Sequence, residues 1–215
     1  MLALAFSPDG GTLASGSGRP SRSGEIKLWK VADGSLVRAL AAPHSDTVMT
    51  LEFSRGGDRL ASWATDRLAK VHAVADGRLE RTFEGHTGHV LGVAWQAHGR
   101  RLATAGADGA IKVWDVLSGE QQRSIAVGRK EVTAIEFLAP GEEFAAASGE
   151  PAVRLYNAGN GSSVRQYETA GDFVQSLALA GTSLAAGTQD GKLRTWNVAT
   201  GGVLHTVEPS PAPAK

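Results

Sequence analysis

The sequence predicts an all-β fold made of repeated units of four short antiparallel strands. Short runs of alternating apolar and polar residues recur along the 215-residue chain, and none of them has the period of an amphipathic helix. Glycine-containing turn signals separate the runs, and the chain has 27 glycines. The whole pattern returns with a period of about 42 residues, which is typical of repeat proteins.

Residues 85–116 are the clearest unit. Apolar runs at residues 90–95, 101–105 and 111–114 are separated by turn signals and are expected to form three strands. A fourth run follows the third in each repeat, as at residues 78–83 of the preceding unit. Four short strands joined by tight turns indicate an antiparallel meander.

One position aligns all the units, the last residue of the third run. It is aromatic in four units and histidine in one, and its residues are Trp29, His72, Trp114, Tyr156 and Trp196. The spacing divides residues 1–208 into five units, at about 1–41, 42–84, 85–126, 127–168 and 169–208. Residues 209–215 contain three prolines, which cannot donate to a sheet ladder, so a disordered tail is expected there.

Two dipeptides identify the kind of repeat, Gly85-His86 before the first run and Trp114-Asp115 after the third. Together with the period and the turn Phe-Ser-Pro-Asp-Gly at residues 6–10, they make nearly the whole chain resemble the WD-repeat family. The resemblance implies a β-propeller whose blades are the four-stranded units. Departures from the second dipeptide include His72-Ala73, Tyr156-Asn157 and Trp196-Asn197.

Five blades are fewer than rings of this family usually contain, and no spare strand is available to close a ring. The expected structure is therefore an incomplete or open ring, with apolar faces exposed on blades one and five. Residues 19–29 are similar to bacterial proteins that join a c-type cytochrome module to such blades. We therefore expect the C-terminal part of a larger bacterial protein, although the chain contains no haem-attachment motif.

Composition restricts the possible functions. The 22 Lys and Arg residues balance 22 Asp and Glu residues, so the chain lacks the global positive field that favours nucleic-acid or anionic-membrane binding. The absence of cysteine excludes disulfides and thiolate metal sites, and no cofactor is predicted. No apolar run is long enough for a membrane helix. A soluble protein is expected, cytoplasmic by default or exported if linked to a cytochrome.

Polar side chains of blade three invite a catalytic interpretation, because His86, Thr104 and Asp108 are a base, a hydroxyl and an acid. The resemblance implies instead that they form a hydrogen-bonded structural tetrad with Trp114. The same spacing recurs in blade two at His44, Ser62, Asp66 and His72. A set repeated in register indicates architecture, because buried polar groups need partners. A metal site at the two histidines and the aspartate of blade two is the alternative.

The predicted binding surface lies on loops around the mouth of the central channel. The resemblance places the loop before each first strand and the loop between the second and third strands on one face. Insertions in repeat proteins concentrate on a binding face, and the blade-one loop is four residues longer than its blade-three counterpart. The predicted protein-binding residues are Arg19, Arg22, Thr47, Arg67, His89, Arg129, Lys130, Glu131 and Phe173.

The function predicted from the sequence is a non-catalytic scaffold that binds a protein or peptide on this face. Neither a nucleic-acid nor a membrane partner is expected, and missing blades would come from a longer chain or from self-association. One alternative is an accessory structural module of a larger, cytochrome-linked protein. The other is a ligand-binding or enzymatic propeller with its site at the channel mouth, which would require convergent catalytic side chains.

Overall fold

Five four-stranded antiparallel sheets make up the computed structural model, which describes residues 3–41, 43–169 and 173–208. In every sheet the strands lie side by side in chain order, so each sheet is a simple meander. The prediction of an all-β chain of four-stranded blades is confirmed. The predicted tail at residues 209–215 lies outside the described residues, as does Met1.

The strands of each blade run from the innermost to the outermost. Blade one contains β1 (Ala3–Phe6), β2 (Thr12–Arg19), β3 (Ser23–Lys30) and β4 (Leu36–Ala39). Blade two contains β5 (Val48–Phe53), β6 (Arg59–Ala64), β7 (Ala69–Ala73) and β8 (Leu79–Phe83). Blade three contains β9 (Val90–Trp95), β10 (Arg101–Gly106), β11 (Ala110–Asp115) and β12 (Gln121–Ala126). Blade four contains β13 (Val132–Phe137), β14 (Glu143–Ser148), β15 (Ala152–Asn157) and β16 (Ser163–Glu168). Blade five contains β17 (Val174–Ala180), β18 (Ser183–Thr188), β19 (Leu193–Asn197) and β20 (Val203–Val207).

The turn between the third and fourth strands, here called the outer turn, has the same glycine in every blade. Its backbone φ is positive, a conformation that residues with a Cβ rarely adopt. The glycines are Gly34, Gly77, Gly119, Gly161 and Gly201, with φ of 69°, 75°, 82°, 79° and 75°. This turn fixes where the outermost strand begins and therefore which of its side chains reach the next blade.

Each blade has two apolar faces, and stacking of these faces forms the core. The backward face looks towards the preceding blade and includes, in blade three, Val93, Trp95 and Trp114, which cluster with residues of blade two. The forward face looks towards the following blade and includes Ile111 and Val113, which cluster with residues of blade four. The same arrangement joins blades one and two, and blades four and five.

The stack is an arc that does not close into a ring. Among the described residues, extensive contacts between sheets join only consecutive blades. Phe6 on the backward face of blade one is 62% exposed, whereas the equivalent Phe53 and Phe137 are each 7% exposed. On the forward face of blade five, Leu193 is 42% exposed, whereas its equivalent Ile111 is fully buried. The predicted open ring with apolar terminal faces is confirmed.

Candidate functional site

Loops that precede the inner strands and loops that join the second and third strands lie at the same end of the arc, here called the loop face. In blades two to five, one backbone hydrogen bond links the two loops. The bonds are Thr65 N to Thr47 O at 3.1 Å, Ala107 N to His89 O at 2.8 Å, Gly149 N to Glu131 O at 3.0 Å and Gln189 N to Phe173 O at 2.9 Å. The strands and these bonds hold the loop backbones in place, so the loop face is a pre-organised surface.

Basic side chains dominate the exposed part of the loop face. Four arginines are exposed and form no ion pair with a described residue, and they are Arg19, Arg22, Arg67 and Arg129. Lys130 is also exposed, although its Nζ donates a 2.7 Å hydrogen bond to the carbonyl of Gly149. Glu131 is exposed beside it. The structure therefore places these predicted binding residues on one surface.

Thr47 has to be removed from the predicted surface, because it is only 6% exposed. The longer loop expected in blade one is in fact an extension of the β2–β3 hairpin, whose strands have eight residues each. This hairpin covers Thr47 so closely that a Cβ on Gly18 would lie 2.6 Å from the Thr47 Cα. Spacing in the sequence could not show that the insertion would fold back over the neighbouring blade.

His89 and Phe173 contact neighbouring loops. The exposed His89 places its Nδ1 3.0 Å from the carbonyl oxygen of Thr65, which links blade three to blade two. Phe173 is half-buried, and its ring lies against Gly149 of blade four. A Cβ added to this glycine would lie 3.2 Å from the ring. Both side chains therefore help to fix the loop face as well as contributing to its surface.

Arg67 has an unusual backbone conformation. Its φ is 68°, which is in the left-handed region that favours glycine, and Gly109 occupies the equivalent position in blade three with a φ of 74°. Non-glycine residues in this region are strained, and such strain occurs disproportionately at functional sites. The arginine therefore occupies a position where the fold favours glycine.

The predicted tetrad of blade three forms one continuous hydrogen-bonded chain. Trp114 Nε1 donates to Thr104 Oγ1 at 2.9 Å, and Thr104 Oγ1 lies 2.8 Å from His86 Nε2. His86 Nδ1 lies 3.0 Å from both carboxylate oxygens of Asp108. Thr104 is fully buried, and its hydroxyl contacts both the indole and the imidazole. The hydroxyl is therefore inaccessible to a substrate, and the arrangement ties the strands of the blade together.

Electrostatics within the tetrad agree with a neutral histidine. Burial lowers the pKa of His86, and the nearby Asp108 only partly opposes this effect. Burial alone would raise the pKa of Asp108, but hydrogen bonds from the Thr87 N–H and from His86 lower it overall. A neutral His86 donates from Nδ1 to the carboxylate and accepts the Thr104 hydroxyl proton at Nε2. Every polar side-chain group of the tetrad then has a partner.

Blade two assembles only part of the equivalent set. His44 Nδ1 lies 3.0 Å from Asp66 Oδ2, and its Nε2 lies 3.0 Å from Ser62 Oγ. His72 occupies the position of the tryptophan and is 3% exposed, but its Nδ1 is buried without a hydrogen-bond partner. Within the described ranges, no group of three or more His, Cys, Asp or Glu residues is placed to hold a metal ion.

Two acidic residues on the inner strands were not predicted as notable. Glu52 on β5 and Glu136 on β13 line the same cavity near the channel, and Glu52 Oε1 accepts a 3.3 Å hydrogen bond from the Trp95 N–H. Burial raises the pKa of Glu52 to about 8, and the charge of Glu136 contributes. Burial also raises the pKa of Glu136 to about 7. The sequence signal was a glutamate at a position where blades one, three and five have alanine.

Comparison with known proteins identifies the repeats. The family model described as "WD40: WD domain, G-beta repeat" matches residues 1–30 and 77–115. The second match covers the outer strand of blade two and most of blade three, including the intact tetrad. These two segments carry WD40 repeats. The resemblance noted from the two dipeptides is thereby confirmed, and WD40 repeats generally mediate protein–protein interactions and are typically non-enzymatic scaffolds.

Two known proteins are similar to part or nearly all of this chain. Mouse apoptotic protease-activating factor 1 is 36% identical over 91 residues, which are 42% of this chain and 7% of that protein. The crystal structure of the computationally designed Ika8 protein superposes with a TM-score of 0.81 at 27% identity, covering 96% of this chain and 61% of that one. The chain thus spans about three fifths of the designed protein and a small part of the mouse protein.

The membrane prediction can be compared with the structure only for helices. Within residues 3–41, 43–169 and 173–208 there is no helix of the length and apolar character needed to cross a bilayer. The strands of this part of the chain instead form the five blades.

Proposed function

We propose that the chain is a non-catalytic scaffold that binds an acidic segment of a protein partner on the loop face. The observation that carries the proposal is the group of exposed arginines without ionic partners among the described residues: Arg19, Arg22, Arg67 and Arg129. The net charge of the whole chain is zero, so the positive charge is local to this surface. A locally positive surface accelerates and orients the docking of an acidic partner.

Apart from the exposed Glu131, the acidic side chains described below are engaged in the fold and do little to neutralise these arginines. Asp46 accepts hydrogen bonds from the backbone N–H groups of Ser21 and Thr47, at 2.9 and 2.6 Å. Glu150 pairs with Arg154 at 2.8 Å. Asp66 and Asp108 are bound by the histidines of their blades. The carboxylates thus stabilise loop backbones and tetrads, while the arginines extend into solvent.

The buried tetrad supports a binding role in preference to a catalytic one. Its base, hydroxyl and acid are the set that most resembles a catalytic triad, but they satisfy one another inside the blade. The loop face presents mainly cationic groups on loops held by backbone hydrogen bonds. Because little loop ordering is needed on binding, more of the contact energy is available for affinity.

A labelled oligoglutamate peptide provides a direct test by fluorescence anisotropy. Wild-type protein should bind it in a salt-dependent manner, and the double substitution Arg67→Glu with Arg129→Glu should weaken binding at least about tenfold, because it reverses two charges of the surface. Oligolysine serves as the control peptide. The matched control protein is Arg55→Glu, since Arg55 is exposed in the turn after β5, at the opposite end of the arc. Equal loss in both variants, or no loss in the double variant, would refute the proposal.

A further inference from the structure

A repeated arginine on the outermost strand clasps the following blade. The arginine lies in the middle of the strand and donates from its guanidinium to a backbone carbonyl in the outer turn of the next blade. The bonds are Arg38 Nη2 to Ala75 O at 3.0 Å, Arg81 Nη2 to Leu117 O, and Arg123 Nε to Gly159 O at 3.0 Å. In blade four, Arg165 lies over the outer turn of blade five. A Cβ added to Gly201 in that turn would lie 2.9 Å from the Arg165 Nη1.

A large apolar residue two positions after each arginine inserts into the same neighbour. These residues are Leu40, Phe83, Ile125 and Tyr167, which are 7%, 2%, 8% and 1% exposed. Phe83 packs on Trp114 with ring centroids 5.3 Å apart, and Tyr167 packs on Trp196 at 5.9 Å. Each internal interface therefore uses the same pair, an arginine on the outer turn and an apolar side chain against the backward face.

Blade one presents the receiving half of this interface without a described residue to cover it. A groove of about 410 Å³ lies on its backward face and is lined mainly by Leu4, Phe6, Leu13, Trp29 and Val31. Its outer-turn glycine, Gly34, also lines the groove, and a Cβ there would meet nothing within 4 Å. At the equivalent Gly77, a Cβ would lie 2.6 Å from the clasping Arg38.

Blade five presents the inserting half. His205 and Val207 on β20 occupy the positions of the arginine and of the large apolar residue, and Val207 is 55% exposed. Leu193 on the adjacent strand is 42% exposed, at a position that is buried in the other four blades. Histidine is shorter than arginine and valine is smaller than the residues it replaces, so this end can form the same kind of contact with fewer bonds and less apolar area.

We propose that the blade-five forward face of one copy docks head to tail on the blade-one backward face of a second copy. We assign a second copy as the partner because, at all four internal interfaces, a forward face with this strand pattern covers a backward face. The contact is heterologous, so it generates a closed ring or an open filament according to the curvature of the arc. This self-association is independent of binding at the loop face.

Sedimentation velocity over a wide range of protein concentrations tests the proposal. The wild-type weight-average mass should rise with concentration, and Phe6→Asp should remain monomeric because it places a charge in the groove. The matched control is Leu117→Asp, since Leu117 is similarly exposed at 59% but lies outside the groove and should leave assembly unchanged. Circular dichroism checks that each variant keeps its strands, which is expected because both side chains are exposed.

A gain-of-function variant makes the test decisive. The double substitution His205→Arg with Val207→Tyr gives blade five the pair present in blade four, and assembly should then occur at about tenfold lower concentration because an additional hydrogen bond and more buried area are gained. Monomeric behaviour of both wild type and this variant would overturn the proposal. It would also be overturned if Phe6→Asp assembled as well as wild type, since another surface would then be responsible.

Discussion

Blades two and three share one strand pattern, and both have a histidine, a hydroxyl residue and an aspartate at the first three tetrad positions. They differ in how well other side chains fit the regular blade structure. Three exchanges account for most of the difference, and they are Trp114 to His72, Ala94 to Glu52 and Gly109 to Arg67, written from blade three to blade two. Each exchange places in blade two a polar or charged residue where blade three has a residue that suits the fold better. Blade two therefore carries local conflicts with the fold, which are typical of functional regions.

The largest effect is expected from breaking the complete tetrad. Thr104→Val would leave the Trp114 N–H and the His86 Nε2 without partners inside blade three, at a cost of about 3 kcal/mol, because each buried unsatisfied group costs about 1–3 kcal/mol. Ser62→Ala in blade two should cost about half as much, since only His44 loses a partner. Urea unfolding measures both, with the exposed Thr82→Val as control. Equal losses in the two blades would contradict the comparison.

The tetrad could be predicted from the sequence because the family resemblance implies it and because the same residue types recur at the same spacing in blade two. Thr104 and Trp114 lie on the adjacent strands β10 and β11, while His86 lies in the loop before β9 and Asp108 in the turn between β10 and β11. A four-stranded meander brings these two strands and the two loops at one end of the blade together. The open arc was predictable for a similar reason, since the number of repeats sets the number of blades. These features depend on order along the chain and on general strand geometry.

Other features depended on contacts between blades, which spacing does not contain. The arginine clasps require knowledge of which face of an outer strand meets the next blade, although the recurrence of Arg38, Arg81, Arg123 and Arg165 was visible in the sequence. The burial of Thr47 depends on a hairpin from blade one. Alignment of the repeats would have indicated glutamates at two inner-strand positions, but not that stacking of the blades would partly bury them.

Glu52 should make stability fall as the pH rises. The carboxyl has a pKa of about 8 in the folded chain against 4.5 as its ordinary value, so between these values the unfolded chain loses a proton that the folded chain keeps. Its stabilising contribution is full below about pH 4.5 and is lost as the pH rises through 8. Glu52→Gln should therefore be more stable than wild type at pH 8 by about 2 kcal/mol. One pKa unit corresponds to about 1.4 kcal/mol, and the remaining contact of Glu52 with solvent reduces the full effect.

Chemical denaturation at a series of pH values checks this prediction. The wild-type and Glu52→Gln curves should converge near pH 4.5 and separate above it. Glu120→Gln is the control, because this side chain is exposed on the outer turn of blade three and its substitution should leave the pH profile unchanged. Parallel profiles for wild type and Glu52→Gln would show that Glu52 ionises freely in the folded chain.

The same new residue should have opposite effects in the two blades at the aromatic position. His72→Phe removes a buried Nδ1 that has no partner and should stabilise the chain by about 1 kcal/mol, whereas Trp114→Phe removes a hydrogen bond and should destabilise it by about 2 kcal/mol. Burial, with the neighbouring His44 and Lys70, lowers the pKa of His72 to about 4. As the pH falls below about 6.5, His72 therefore takes up a proton in the unfolded chain before it does so in the folded chain, which destabilises the wild type. The stability gained by His72→Phe should therefore be larger at pH 5 than at pH 7. Thermal unfolding at both pH values distinguishes this result from a loss of packing, which would destabilise at both.

The smallest effect on stability, and the sharpest link to function, is expected at Arg67. Arg67→Gly should raise stability by about 0.5–1 kcal/mol, because relief of the positive φ exceeds the added freedom of glycine in the unfolded chain. The reciprocal control, Gly109→Ala, should destabilise blade three, since the new Cβ would lie 2.5 Å from the carbonyl oxygen of Gly128. Measured on the same preparation, oligoglutamate binding should weaken in Arg67→Gly although the fold is more stable. A variant that lost stability, or gained it without loss of binding, would remove the reason to regard this strained arginine as functional, because a residue that opposes the fold needs a compensating role.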